Sequence, residues 1–183
     1  MPLCPAKERK TGIVDTPDGK KPKFFGSILY ARFQRDNARL ISRMLVQQPM
    51  FYHHQPASTL PHEIGENQAD GSRIGLGQNG FLSYGPYINL QAGRYFAGFE
   101  LEKLATFSGS ATAKLEIAAQ RGRIILATRT IRDPDLILGI PALLTLNLKL
   151  DQLTSGVEVR LLCNGQPSLK VNHLTIFQPS TGG

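Results

Sequence analysis

The chain has 183 residues, of which 41% are hydrophobic and 19% charged, a globular composition that excludes wholesale disorder. Its net charge of +7 lies almost wholly in residues 1–48, which carry ten Lys and Arg against four Asp and Glu, whereas residues 49–183 carry eleven against ten. Because the basic surplus is confined to the N-terminal part, the composition argues against nucleic-acid binding by the rest of the chain.

Cysteine usage and hydropathy indicate the cellular compartment. Cys4 lies in a polar segment and Cys163 at the end of an apolar one, so the pair offers neither a metal-binding spacing nor a disulfide framework. The first residues contain no apolar run typical of a secretory signal, and no stretch reaches the roughly 20 consecutive apolar residues of a membrane span. We therefore expect a cytoplasmic protein, with peripheral contact at the inner membrane face as the alternative.

Two N-terminal segments differ in character. Residues 1–23 are rich in Lys, Pro, Gly and Asp, which predicts a flexible basic arm. Over residues 24–48 apolar side chains recur at intervals of three and four, which predicts an amphipathic helix. This helix would pack on the body, join a partner or a second copy, or lie on an anionic membrane surface. Its apolar stripe is Phe25, Ile28, Leu29, Phe33, Leu40, Ile41 and Met44, and its basic face carries Arg32, Arg35, Arg39 and Arg43.

Residues 49–73 show little periodicity and contain three prolines, which predicts a linker or an irregular strap across the body. The segment also holds His53, His54 and His62, followed by Glu63, all suitable ligands for zinc. Adjacent histidines on an extended chain point in opposite directions, however, and no HxH or HxxxH spacing is present. We therefore expect no metal site in this segment.

The body of the chain has the pattern of a β-structure. The predicted module spans residues 74–178. From Phe81 onward its apolar side chains alternate with polar ones, and turn residues interrupt the pattern about every 8–14 positions. The pattern predicts an all-β fold, an antiparallel β-sandwich of jelly-roll-like topology preceded by the one amphipathic helix. Residues 179–183 are expected to form a flexible tail.

Three local features add detail to this β-sandwich. The run at 124–127 is too apolar for a half-buried strand, which suggests a central or a bulged one. A change of phase near Asn172 and His173 predicts a β-bulge in the last strand. The pair Asn164 and Gly165 is a hairpin signal.

The sequence offers little for catalysis. No G-x-S-x-G nucleophile elbow is present, and Cys163 lacks a neighbouring histidine, which suggests a buried structural cysteine. Glu116 and Glu158 fall on outward strand positions beside Lys or Arg, where solvated cross-strand pairing is expected. The G-x-G-x-x-G run at 75–80 lacks the following helix that a dinucleotide site needs. We expect neither an enzyme nor a cofactor.

Ligand binding is the remaining function. An exposed tyrosine ring offers a flat apolar face to the C–H side of a sugar, while Asn, Gln and Arg side chains can bond its hydroxyls. The absence of Trp weakens a sugar platform and favours a weakly bound or an anionic glycan. The alternative is that the tyrosines form a packed corner of the sandwich. The candidate binding residues are Tyr84, Tyr87, Asn89, Arg94, Phe96, Gln120, Arg121, Arg123 and Asn164.

Residues 80–95 read GFLSYGPYINLQAGRY, and further matching runs follow at 115–117, 157–160 and 174–176. Together these runs resemble a carbohydrate-binding-like β-sandwich module found beside bacterial polysaccharide glycosyltransferases and methyltransferases. The resemblance covers roughly residues 75–178.

The resemblance implies a non-catalytic module that recognises a glycan, or a glycosyltransferase or methyltransferase partner, in bacterial surface-polysaccharide biosynthesis. Two alternatives stay open. One is a structural or oligomerisation module without a sugar ligand, which would use the helix at 24–48 for assembly. The less favoured one is a small jelly-roll capsid protein whose basic arm holds nucleic acid.

Overall fold

A computed structural model describes residues 51–165 and 167–179, in which ten β-strands follow one another along the chain. Two short 3-10 turns, Ala57–Thr59 and Asp133–Asp135, interrupt the order. The described ranges contain no helix long and apolar enough to cross a membrane. The strands are β1 (Phe51–Pro56), β2 (Glu66–Asn67), β3 (Arg73–Leu76), β4 (Gly80–Leu90), β5 (Gly93–Lys103), β6 (Thr112–Ala119), β7 (Ile124–Ile131), β8 (Ala142–Leu150), β9 (Thr154–Asn164) and β10 (Ser168–Gln178).

The strands form two antiparallel sheets packed face to face. The six-stranded sheet has the order β2-β3-β10-β5-β8, and β1 also pairs with β10, along its second half. The four-stranded sheet has the order β4-β9-β6-β7. The predicted all-β antiparallel sandwich is therefore confirmed, while the jelly-roll-like topology stays a prediction. The predicted helix at 24–48 and the arm at 1–23 lie outside the described residues.

The two-residue periodicity places the core between the sheets. Alternate residues of β5, such as Tyr95 and Phe99, are buried, as are Leu144 on β8 and Val159 on β9. The register of β10 on β5 shifts between Val171 and Leu174, which confirms the predicted bulge there. The bulge lets apolar residues on both sides of it reach the same core.

Of two further local predictions, one is confirmed in one of its alternatives and the other is wrong. Residues 124–127 belong to β7, which is bulged as one alternative held but lies at an edge of its sheet, with Ile124 and Ile125 exposed. The hairpin predicted at Asn164 and Gly165 is wrong, because β9 and β10 lie in different sheets. Asn-Gly favours a tight turn, but core packing decides which sheet receives the next strand.

Within the segment predicted as a linker or strap, residues 51–56 and 66–67 form strands. The segment is held by Arg73, whose side chain is fully buried at the start of β3. Its guanidinium donates to the Leu60 carbonyl (2.7 Å), to the Leu82 carbonyl (3.1 Å) and to the Asn67 side-chain oxygen (2.9 Å). Burial lowers the pKa of Arg73. These bonds fix the residues after β1 against β4.

Candidate functional site

A groove of about 550 Å³ lies on the outer face of the four-stranded sheet. The floor of the groove consists of side chains that strand pairing places side by side. Tyr84 on β4 lies opposite Arg160 on β9, and Arg160 lies opposite Glu116 on β6. Glu158 is two residues from Arg160, on the same face of β9, and lies opposite Pro86. The groove is lined by Glu63, Phe81, Tyr84, Tyr87, Arg121, Gly156, Glu158 and Arg160.

Aromatic rings form one wall of the groove. The rings of Phe81 and Tyr84 meet edge to face, with centroids 5.8 Å apart and an interplanar angle of 67°. The guanidinium carbon of Arg160 lies 5.3 Å from the centroid of Phe81, within cation–π range. Tyr87 follows a cis Gly85–Pro86 peptide and keeps 43% of its surface exposed. The wall therefore offers ring surface to a ligand.

The backbone of Tyr87 lies in the left-handed region, with a φ of 64°. Its hydroxyl donates a hydrogen bond to Glu158, which is almost fully buried. Burial and the adjacent negative charge of Glu158 raise the pKa of Tyr87. The phenol therefore stays protonated and Glu158 has a fixed partner at the floor of the groove.

A buried carboxylate neutralises the central cation of the floor. Arg160 Nη2 donates to Glu116 Oε2 (2.6 Å), and Lys114 Nζ lies 2.8 Å from the other carboxylate oxygen. Burial opposes ionisation of Glu116, but the bonds from Lys114 and Arg160 outweigh it, so the pKa of Glu116 is lowered. Among the described residues, Arg160 Nε has no hydrogen-bond acceptor.

The turn between β6 and β7 brings a second cation to the groove. Its residues Gln120, Arg121 and Gly122 all have left-handed backbones, with φ values of 53°, 57° and 79°. This turn places Arg121 on the groove lining and sets Gly122 directly against the guanidinium of Arg160. A methyl group at position 122 would overlap Arg160 Nη1, so only glycine leaves that guanidinium in place.

Gly122→Ala is expected to lower the free energy of unfolding by about 1–2 kcal/mol, because an L-residue disfavours this backbone and the Arg160 side chain must move. Gly109→Ala is the matched control, since Gly109 also has a positive φ but open space around its Cβ position. Urea unfolding of both variants measures the difference. Equal losses of stability in the two variants would show that the Arg160 side chain moves away from the added methyl group at no cost.

The predicted binding residues divide into those near the groove and those away from it. Tyr84, Tyr87 and Arg121 line it, while Gln120 and Arg123 flank Arg121 in the same turn.

The other candidates have different positions. Asn89 accepts a hydrogen bond from the backbone of Gly156 (3.0 Å), which fixes one end of the groove. Asn164 ends β9, opposite Thr112, and is not among the lining residues. Arg94 and Phe96 belong to β5 of the opposite sheet, so the structure does not bring them to the groove.

Sequence reasoning missed four lining side chains. Phe81, Glu158 and Arg160 lie on strands, and parity gave the correct face for Glu158 and Arg160. Phe81 shares their face because the register of β4 on β9 shifts after it, and only the pairing of β4, β9 and β6 brings the three together. Glu63 arrives from the segment predicted as a linker, where its Oε2 accepts from the backbone of Phe81 (3.1 Å). Glu116 and Glu158 are buried rather than solvated, which corrects the earlier expectation.

No known protein-family model matches the sequence, and no curated protein matches it. Many solved structures are similar in fold, and three of them illustrate the likeness. The C-terminal carbohydrate-binding module (CBM6) of LamC, a marine laminarinase from Zobellia galactanivorans, has a TM-score of 0.50 at 10% identity, over 70% of this chain and 100% of that one. A carbohydrate-binding module of Cellvibrio mixtus lichenase 5A, in complex with cellotriose, gives 0.49 at 12%, over 69% and 96%. The second N-terminal cellulose-binding domain of Cellulomonas fimi β-1,4-glucanase C gives 0.48 at 14%, over 74% and 97%.

At such identities the likeness to the LamC module concerns the fold alone. The chain is thus an antiparallel β-sandwich of the kind found in that carbohydrate-binding module. Its groove, by contrast, is defined by the residues and distances described above.

Proposed function

We propose that the protein is a non-catalytic carbohydrate-binding module whose glycan lies in the groove of the four-stranded sheet. The observation that carries the proposal is the pairing of an accessible ring wall with fixed polar groups on one groove floor. The fold shared with the LamC module supports it. Tyr87 is also too exposed for a tyrosine corner packed into the sandwich, which favours binding over a purely structural role.

The groove has the chemistry that sugars require. A pyranose presents apolar C–H groups on its faces and hydroxyls around its rim, so rings can cover the former while charged side chains bond the latter. Phe81 and Tyr84 supply ring surface, and Glu158 and Arg160 supply acceptor and donor atoms. Because Glu116 already holds Arg160, little side-chain freedom is lost when a ligand binds.

The charge balance favours a neutral glycan over an anionic one, which was one of the two alternatives that the sequence left open. Two lining carboxylates, Glu63 and Glu158, face two lining guanidinia, Arg121 and Arg160. The buried Glu116 beside Arg160 also pairs with Lys114, so these two groups together add no net charge to the groove. An anionic sugar would therefore meet as much repulsion as attraction in the groove.

The biological setting that we propose rests on the resemblance of residues 80–95 to modules of bacterial polysaccharide proteins. The protein would present a growing or finished glycan to a glycosyltransferase or methyltransferase in the cytoplasm or at the inner membrane face. The absence of a paired-carboxylate or nucleophile pattern in the sequence is consistent with a non-catalytic role.

Calorimetric titration of the full chain with cellotriose, xylotriose and an oligogalacturonate tests the proposal. We expect binding of a neutral oligosaccharide that Tyr84→Ala weakens about tenfold or more, equivalent to about 1.4 kcal/mol, because the wall loses one of its rings. Leu138→Ala changes an exposed side chain outside the groove and should leave the affinity unchanged.

A glycan array extends the same measurement to other neutral and anionic sugars. A folded wild-type chain that binds no glycan in either format would sink the proposal and favour the structural module. Preferential binding of anionic sugars would overturn the charge argument while leaving the groove as the site.

A further inference from the structure

The four-stranded sheet has one covered edge and one bare edge. At β4 the segment that follows β1 supplies the missing partners, because Glu63 N–H donates to the Phe81 carbonyl (2.8 Å) and Tyr84 N–H donates to the Pro61 carbonyl (3.0 Å). At the other edge β7 pairs with β6 alone, and no backbone group in the described part of the chain bonds to its outer side. The peptide groups along that side of β7 can therefore pair with a further strand.

The side chains of β7 do not protect this edge. Lysine, proline and inward-pointing charges commonly keep other strands away from an edge strand, but β7 contains no Lys, Pro, Asp or Glu. Its one charged residue, Arg129, pairs with Asp135 of its own chain (3.4 Å). Ile124 and Ile125 keep 43% and 46% of their surface exposed. The edge thus combines free peptide groups with exposed apolar side chains.

The second half of β7 is regular enough to pair with another strand. From Ala127 to Ile131 the register of β7 on β6 is unbroken, and the bulge lies beyond Ala127. Thr128 lies opposite Glu116, so its side chain and that of Thr130 project on the outer face of the sheet, where both are exposed. Threonine and isoleucine also favour the extended backbone that a further ladder requires.

We infer that a second copy of the chain pairs with this edge, β7 antiparallel to β7, in a two-fold symmetric dimer. Every copy offers the same bare edge, so one such pairing satisfies both edges and closes the assembly at two copies. Charge selects the register. Pairing centred on Thr128 places each Arg129 opposite the partner's Ala127, whereas pairing centred on Arg129 would oppose two like charges.

The pairing joins the two four-stranded sheets into one sheet of eight strands. A two-fold axis perpendicular to the sheet keeps the outer face outward in both copies, so both grooves open on the same side. The two β9 strands, which carry Arg160, are then five strand spacings apart, about 24 Å in all. With a glycan in each groove, which rests on the proposed function, the dimer would hold one polysaccharide surface at two points. The dimer itself does not depend on a glycan.

A cysteine on the two-fold axis tests the pairing and its register. In the full chain with Cys4→Ser, mild oxidation should cross-link Thr128→Cys to its own copy, because opposite residues of an antiparallel pair have Cα atoms about 4.5–5.5 Å apart. Thr130→Cys is the matched control, since it is exposed on the same face but its two copies would lie four residues apart along the strands. The buried Cys163, whose pKa burial raises to about 12, stays unreactive. We expect a cross-linked dimer from Thr128→Cys alone.

Sedimentation velocity of the full chain measures the dimer without a cross-link. We expect a monomer–dimer equilibrium whose dissociation constant Ile125→Lys raises about tenfold or more, because a charge on the edge strand opposes pairing. Leu153→Lys, at a similarly exposed leucine in the turn between β8 and β9, should leave the dissociation constant unchanged. Circular dichroism of both variants checks that they remain folded.

Three results overturn the inference. A wild-type chain that stays monomeric at about 100 µM has no such interface. A dimer that Ile125→Lys leaves intact, or equal cross-linking of Thr128→Cys and Thr130→Cys, would place the contact on another surface. Assemblies that grow beyond two copies would contradict the closed pairing. All of these measurements are made without a glycan, so their failure is distinguishable from a failure of the proposed function.

Discussion

Replacing Arg73 with methionine is expected to lower the free energy of unfolding by about 3–5 kcal/mol. Methionine fills much of the space but donates nothing, so the buried carbonyls of Leu60 and Leu82 lose their partner. Each buried acceptor left unsatisfied costs about 1–3 kcal/mol, and the bonds to Asn67 and Ser83 are lost as well. Urea unfolding followed by circular dichroism gives the value.

Arg123→Met provides the control for this variant, because Arg123 is exposed in the turn between β6 and β7. Its substitution should change stability by no more than about 0.5 kcal/mol. Because Arg73 holds the segment that carries Glu63, we also expect Arg73→Met to weaken any ligand that binds in the groove. A loss of stability below about 1 kcal/mol would show that the carbonyls find other donors.

Gly98→Ala is expected to cost about 3 kcal/mol, at the upper end of the usual range for overpacking. A Cβ at this position would overlap the carbonyl oxygen of Leu144 and lie 2.8 Å from the Cα of Thr145, both backbone atoms of β8. Relief requires the two strands to move apart in the middle of a ladder of paired residues.

The comparison for Gly98→Ala is Gly139→Ala, where nothing lies near the added methyl group and only the positive φ opposes it, at about 1 kcal/mol. Thermal or urea unfolding of the two variants separates steric overlap from backbone preference. A Gly98→Ala protein as stable as the wild type would mean that β5 and β8 are spaced more widely than described.

The sequence predicted the β-sandwich well because its signal is local and repeated. Alternation in β5, β8 and β9 marks the core face of each strand directly, and even the bulge after Val171 leaves a visible change of phase. The strand at 51–56 gives a weaker signal, since its histidines and its terminal proline resemble loop residues. Its strand conformation depends on pairing with β10, over 100 positions away.

The groove could be predicted only in part, because it depends on register between distant strands. Tyr84 and Tyr87 are close in sequence, and their exposure follows from parity and from the break at Gly85 and Pro86. Glu158, by contrast, reaches Tyr87 only because β9 pairs with β4. A parity pattern gives the face of a side chain but not its partner across the sheet, and the charge balance of the groove depends on partners.

The pairing of β10 determines when the six-stranded sheet can form during synthesis of the chain. β10 pairs with β1, β3 and β5. Three strands from the first half of the described chain therefore lack a pairing partner until residues 168–178 have been synthesised. On the ribosome the six-stranded sheet therefore cannot close until this strand has emerged, and the early strands are exposed to wrong partners in the meantime. Such long-range pairing is typical of domains that fold slowly.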